Sequence, residues 1–212
     1  MPAIRSRIST ANISLLLAYL FFCFLMLEIV VQYIPAGTDT AFLGIKQEYV
    51  QLPFYLPAFY IHVFTALMAL PAGFTQFSNY ILKNFRQVHR INGRIYVLAI
   101  VFAGAPSGFI IGLYANGGIA SRISFCLLAV LWIWFTLMAL RMALLKKFTL
   151  HKAFMYRSFA LTLSAITLRG WKYILTLFFH FHPMDAYRIV AWLGWTVNLA
   201  IAEFIIYKKY QK

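Results

Sequence analysis

The stretch His151–Lys172, HKAFMYRSFALTLSAITLRGWK, decides how this chain is read. Taken in steps of four and three residues, the spacing that keeps side chains on one helix face, it gives His151, Met155, Ser158, Thr162, Ala165, Arg169 and Lys172. That face carries a histidine, two hydroxyls, a small residue and two cations. Phe154, Phe159, Leu161, Leu163, Ile166 and Leu168 fill the other faces. In an apolar chain such a helix turns its polar stripe inward and its apolar faces toward lipid. The stretch therefore predicts one long membrane helix within a bundle that has a polar interior.

The whole chain agrees with that setting. Of its 212 residues 63% are apolar and only 11% are charged, against roughly half and a quarter in soluble domains. A span needs ~20 apolar residues, so there is room for about six and almost nothing for a soluble domain. The net charge of +14 would suggest nucleic acid in a soluble protein. In a membrane protein it is explained by basic loops on the cytoplasmic side, and no nucleic-acid partner is expected. Cys23 and Cys126 both fall inside predicted spans, which leaves no disulfide framework or zinc motif.

Outward from the opening stretch, the sequence predicts helices at about 13–34, 53–82, 95–114, 121–145, 152–179 and 187–207. The first run is too long for a signal peptide and lacks its small-residue cleavage site. Arg5, Arg7, the Lys83–Arg94 segment KNFRQVHRINGR (read as a loop), the Arg141–Arg157 region and the tail Lys208, Lys209 and Lys212 hold most of the 19 Lys and Arg residues. With six spans these groups share one side. The expected fold is an all-α, six-transmembrane-helix bundle forming a single domain in a bacterial inner membrane, with both termini cytoplasmic.

The second predicted helix repeats the polar stripe: His62, Thr65, Ala69, Ala72, Gln76, Asn79 and Lys83. Thr, Gln and Asn serve as ordinary glue between membrane helices. Histidine and arginine cost more to bury, roughly 2.5–3.5 kcal/mol for Arg on insertion scales, and call for a stronger reason. His62 and Arg169 belong to the outer half of the bundle. His89 and His151 lie at cytoplasmic helix ends, with Arg90, Arg94 and Arg157 nearby. Two imidazoles and three guanidiniums at one membrane face suit haem b, the imidazoles as axial ligands and the arginines on the propionates. The same cluster suits a lipid phosphate, an anionic metabolite or a solvated basic rim.

The acids argue by absence. Glu28, Asp39, Glu48, Asp185 and Glu203 are the only ones, and none falls in the second to fifth predicted helices or their cytoplasmic loops. Paired-carboxylate hydrolysis, magnesium-dependent diphosphate chemistry and a carboxylate proton relay all lack their residues. No nucleophile-elbow motif supports serine–histidine catalysis.

Three blocks, HRINGRIY (His89–Tyr96), APSGFIIGLY (Ala105–Tyr114) and HKAFMYRSFALTLSAITLR (His151–Arg169), together resemble an uncharacterised family of bacterial multi-pass membrane proteins. That family pairs an H-R-x-x-G-R-x-Y block with a later H-x-x-x-M-x-R-S…T-L-R block, behind a helix with an early histidine, here His62. It has no settled activity to lend. A weaker likeness is to membrane cytochromes of the b561 and ferric-reductase type, which set haem-ligating histidines in pairs on four core helices. This likeness implies a His89–His151 pair. The fourth helix offers His62 no partner, and only His180 or His182 could complete an outer site. The leading expectation is haem-b electron transfer through His89 and His151, with a quinone-like carrier as partner. The alternatives are an accessory subunit of a larger membrane complex, binding a partner or anionic lipid through its basic face, and a small transporter or lipid-modifying protein that holds an anion with Arg157 and Arg169.

Overall fold

A computed structural model describes residues 10–210, so Arg5, Arg7 and Lys212 lie outside the described residues. The chain runs α1 Thr10–Val31, α2 Gln47–Val50, α3 Tyr55–Thr75, α4 Asn79–Asn84, α5 Arg86–Leu98, α6 Ala105–Leu113, α7 Ile119–Leu144, α8 Phe148–Thr162, α9 Ser164–Phe178 and α10 Pro183–Tyr210. A 3₁₀ turn occupies Ala41–Ile45, and a π-helical segment, Ala99–Gly104, joins α5 to α6. No strand occurs among the described residues. Among the described residues four helices are long and apolar enough to cross a membrane: Tyr55–Thr75, Arg86–Leu113, Ile119–Leu144 and Pro183–Tyr210. Leu16–Val31 is a shorter apolar helical stretch.

The helix limits depart from the sequence expectation at three places, each with a local cause. The segment expected as a basic loop is helical from Arg86, so His89, Arg90 and Arg94 ride on α5. Its Arg side chains reach outward along their alkyl stems, which lets a helix continue through a cation-rich membrane surface. The expected long second helix stops at Thr75. Ser78 then caps the short α4, its Oγ accepting from the Ile81 amide at 3.3 Å. The opening stretch is two helices broken at Leu163 rather than one. Thr162 donates to the Ser158 carbonyl at 3.1 Å and Thr167 to the Leu163 carbonyl at 3.2 Å, back-bonding that bends helices.

Pro106 explains the π segment. It has no N–H for the turn before it, and the helix widens there. Ser107 Oγ donates to the Ala103 carbonyl at 2.5 Å and the Gly104 carbonyl at 3.1 Å, satisfying backbone left by the distortion.

Helix α8 packs against α7, α10 and α3. Phe159 and Leu161 of α8, and Ile166 of α9, all expected to face lipid, are core residues. Gly73 of α3 admits this closeness, because a Cβ there would stand 2.7 Å from the Phe159 ring and 2.8 Å from the Tyr96 ring. α1 packs mainly on α3 and touches α9 only lightly.

The connection from α1 to α3 folds over one end of the bundle and buries Tyr33, Leu43 and Val50 against Tyr55 and Phe59. Lys46 is sealed inside this cap, 1% exposed. Its ammonium donates to the Tyr114 carbonyl and to Asn116 Oδ1, and stands 5.0 Å from the Tyr49 ring centre. Burial, with Arg122 adding repulsion, pushes Lys46 down to about 8.

Candidate functional site

The polar stripe of the opening stretch is used differently on either side of Leu163. Below the break its hydroxyls form a closed hydrogen-bond hub. Tyr96 Oη lies 2.8 Å from both Ser158 Oγ and Thr162 Oγ1. Trp132 Nε1 donates to Thr162 Oγ1 at 3.1 Å, and Thr136 Oγ1 lies 2.7 Å from Ser158 Oγ. All five side chains are buried, and the hub ties α5, α7 and α8 together. Tyr96 closes the H-R-x-x-G-R-x-Y block, but nothing in the periodicity of the fourth predicted helix marked Trp132 and Thr136 as its partners.

The hub also sets the register of the two inner histidines. Two reversals, after α6 and after α7, make α8 run in the same sense as α5. His89 precedes Tyr96 by a heptad, and His151 precedes Ser158 by the same interval. A heptad drifts only ~20° from two full turns. Both imidazoles therefore lie about 10 Å below the Tyr96–Ser158 contact, on the faces that the contact brings together. His151 Nδ1 donates to the Ala139 carbonyl at 2.9 Å, which fixes the ring orientation and leaves Nε2 as the nitrogen not engaged by that bond. His89 Nδ1 is buried without a hydrogen-bond partner.

The arginines divide. Arg90 and Arg94 are exposed on α5. Arg157 makes a bidentate pair with Glu203 of α10, Nε to Oε1 at 2.5 Å and Nη2 to Oε2 at 2.8 Å. Glu203 is remote in sequence, and only the packing of α10 on α8 brings it there. No group of three or more His, Cys, Asp or Glu arranged to hold a metal ion occurs among the described residues.

Above Leu163 the stripe opens into a cavity of about 550 Å³. Arg169, Lys172 and Ala165 of α9 line it, with Thr162 at its floor and His62 of α3 across from them. His62 and Arg169, both singled out by sequence, thus share one space, separate from the His89–His151 pair. His62 Nδ1 donates at 2.8 Å to the Gly104 carbonyl at the end of the π segment. Gly108 makes room for the ring, since a Cβ there would lie 2.9 Å from it. Arg169 Nη1 donates to the Ala165 carbonyl at 2.7 Å. The cavity lining includes no carboxylate and no second histidine.

Among families of known proteins, the one described as "Predicted membrane protein (DUF2306)" matches residues 59–206. The matched part contains His62, the hub, the His89–His151 pair and Arg169. No curated protein and no solved structure matches the chain.

Proposed function

The chain belongs to this family of predicted membrane proteins, and from that premise we propose that it is a membrane cytochrome holding one haem b between His89 and His151. It crosses a bacterial inner membrane six times, with both termini cytoplasmic and α8–α9 as one broken span. The observation that carries the haem reading is the matched register of the two histidines beneath the Tyr96–Ser158 contact. The unpartnered Nδ1 of His89 and the oriented ring of His151 support it. Two imidazoles suffice as axial ligands, so a cluster of three metal-binding side chains is not required.

When bound, haem supplies a one-electron couple that its axial ligands and surroundings tune. The protein's own work is positional. The Ala139 carbonyl fixes the tautomer and orientation of His151. Arg90 and Arg94 offer guanidiniums to the propionates, while Arg157 is committed to Glu203. A quinone-like carrier is the electron partner. One haem is proposed rather than two, because the cavity at His62 offers no second imidazole.

Dithionite-reduced protein is expected to show a b-type α-band that is lost in both His89→Ala and His151→Ala and kept in His62→Ala. Colourless protein from cells supplied with haem precursor would overturn the reading. It would leave an accessory subunit whose rim of Lys83, Arg86, Arg90 and Arg94 grips anionic lipid. Reporter fusions test the topology: Asn116 should report periplasmic and the C-terminus cytoplasmic, and the reverse result at either site would refute six spans.

A further inference from the structure

We propose that the cavity above Leu163 is a binding site for a single-chain anionic amphiphile, with a carboxylate or phosphate head on Arg169 and Lys172 and a hydrocarbon tail along the apolar walls. The inference rests on the cavity alone and not on the His89–His151 reading. At about 550 Å³ the space falls within the ~300–1,000 Å³ of small-molecule sites. Its cations converge from successive turns of α9, and no carboxylate lines it. Arg169 makes no ion pair among the described residues, and its one hydrogen bond, to the Ala165 carbonyl, leaves most of its guanidinium N–H groups to a ligand. An uncompensated guanidinium at membrane depth is costly, so an anion in the cavity offsets what the fold leaves open. The remaining wall is mostly apolar, with Val63, Ile111, Leu128, Trp132 and Leu168 placed for a tail.

A route from the lipid is present on the side of α1. A second cavity of about 460 Å³ lies between α1 and α9, lined by Leu25, Glu28, Ile29 and Gln32 on one side and Ile166, Arg169, Gly170 and Tyr173 on the other. Gln32 and Arg169 line both cavities, which makes the two spaces neighbours. The space at Gly170 is open, since a Cβ there would meet nothing within 4 Å. An amphiphile from the bilayer can therefore pass its head between α1 and α9 to the inner face of Arg169. Glu28 borders the outer space and not the inner one, which favours the head moving on to the inner cavity, where Arg169 and Lys172 face no carboxylate among the described residues.

The test is native mass spectrometry of the delipidated full-length protein with hexadecanoate, hexadecyl phosphate or hexadecanol. One retained hexadecanoate or hexadecyl phosphate per chain, with hexadecanol not retained, is expected. Retention of the carboxylate alone assigns a free fatty acid, and of the phosphate alone a phospholipid-derived amphiphile. Arg169→Gln should weaken retention at least tenfold and Arg169→Lys should restore part of it. A bulky Gly170→Trp should slow uptake without lowering thermal stability. Failure to retain either anion, retention of hexadecanol equal to that of the anions, or unchanged retention in a folded Arg169→Gln protein would overturn the proposal.

Discussion

The two halves of one helical stripe, Ser158–Thr162 in α8 and Ala165–Lys172 in α9, treat polarity in opposite ways. In the lower half each hydroxyl meets another side chain from α5 or α7, and the result is a closed network. In the upper half the cations meet a void. The same periodicity in sequence thus yields structural glue on one side of Leu163 and an open site on the other. A polar stripe in a membrane helix specifies that something polar must lie opposite it, and the neighbouring helices decide whether that is protein or space.

The sharpest way to break the comparison is to place one bulky residue in each half. Ser158→Leu puts a three-carbon branch in place of the Oγ that Thr136 and Tyr96 now bond, combining overpacking with orphaned hydroxyls. A loss of about 3 kcal/mol or more is expected in reversible unfolding. Ala165→Leu, on the same stripe, points into the cavity and should stay within about 1 kcal/mol of the parent. Equal losses would mean that the cavity is not open space.

A gentler pair sharpens the contrast. Tyr96→Phe removes the shared partner of Ser158 and Thr162 and should cost about 1 kcal/mol, in line with interhelical hydrogen bonds in membranes. Arg169→Leu, which deletes a guanidinium bonded only to its own helix, should leave stability unchanged or slightly raised. Stability of Arg169→Leu lower than that of Tyr96→Phe would place Arg169 among the structural groups.

The last contrast concerns the cap. Lys46 is held at about 8, below the ordinary 10.5, so between those values the unfolded chain binds its proton more strongly than the folded one. Stability should therefore rise with pH through that window. In Lys46→Met this rise should be absent, and thermal melts of the two proteins at pH 7.5 and 10 measure the difference. Parallel pH dependence in both would show that the ammonium is not confined as described.

Membership in a helical membrane class was legible from residue chemistry, because 63% apolar content leaves long segments no stable state outside lipid. The stripes on α3 and α8–α9 were legible too, since a 3.6-residue period is a property of the chain alone. The break at Leu163, the helical course of the basic segment at His89, and the end of α3 at Thr75 were not. Each depends on which carbonyl a hydroxyl reaches or on where the membrane surface lies. The inward turn of Phe159, Leu161 and Ile166 was hidden for a related reason: lipid and protein core are equally apolar, so side-chain type does not say which one a face meets.

Residue chemistry singled out His62, His89, His151, Arg157 and Arg169 because each is expensive to place in a membrane. Their depth along the predicted helices set His62 with Arg169 and placed His89, His151 and Arg157 at the cytoplasmic ends, but it did not name the partner of each. Tertiary packing set His89 and His151 each a heptad from the two ends of the Tyr96–Ser158 contact, gave Arg157 to Glu203, and placed His62 and Arg169 in the lining of one cavity. Burial cost is a property of a side chain, whereas a partner belongs to the arrangement of several helices.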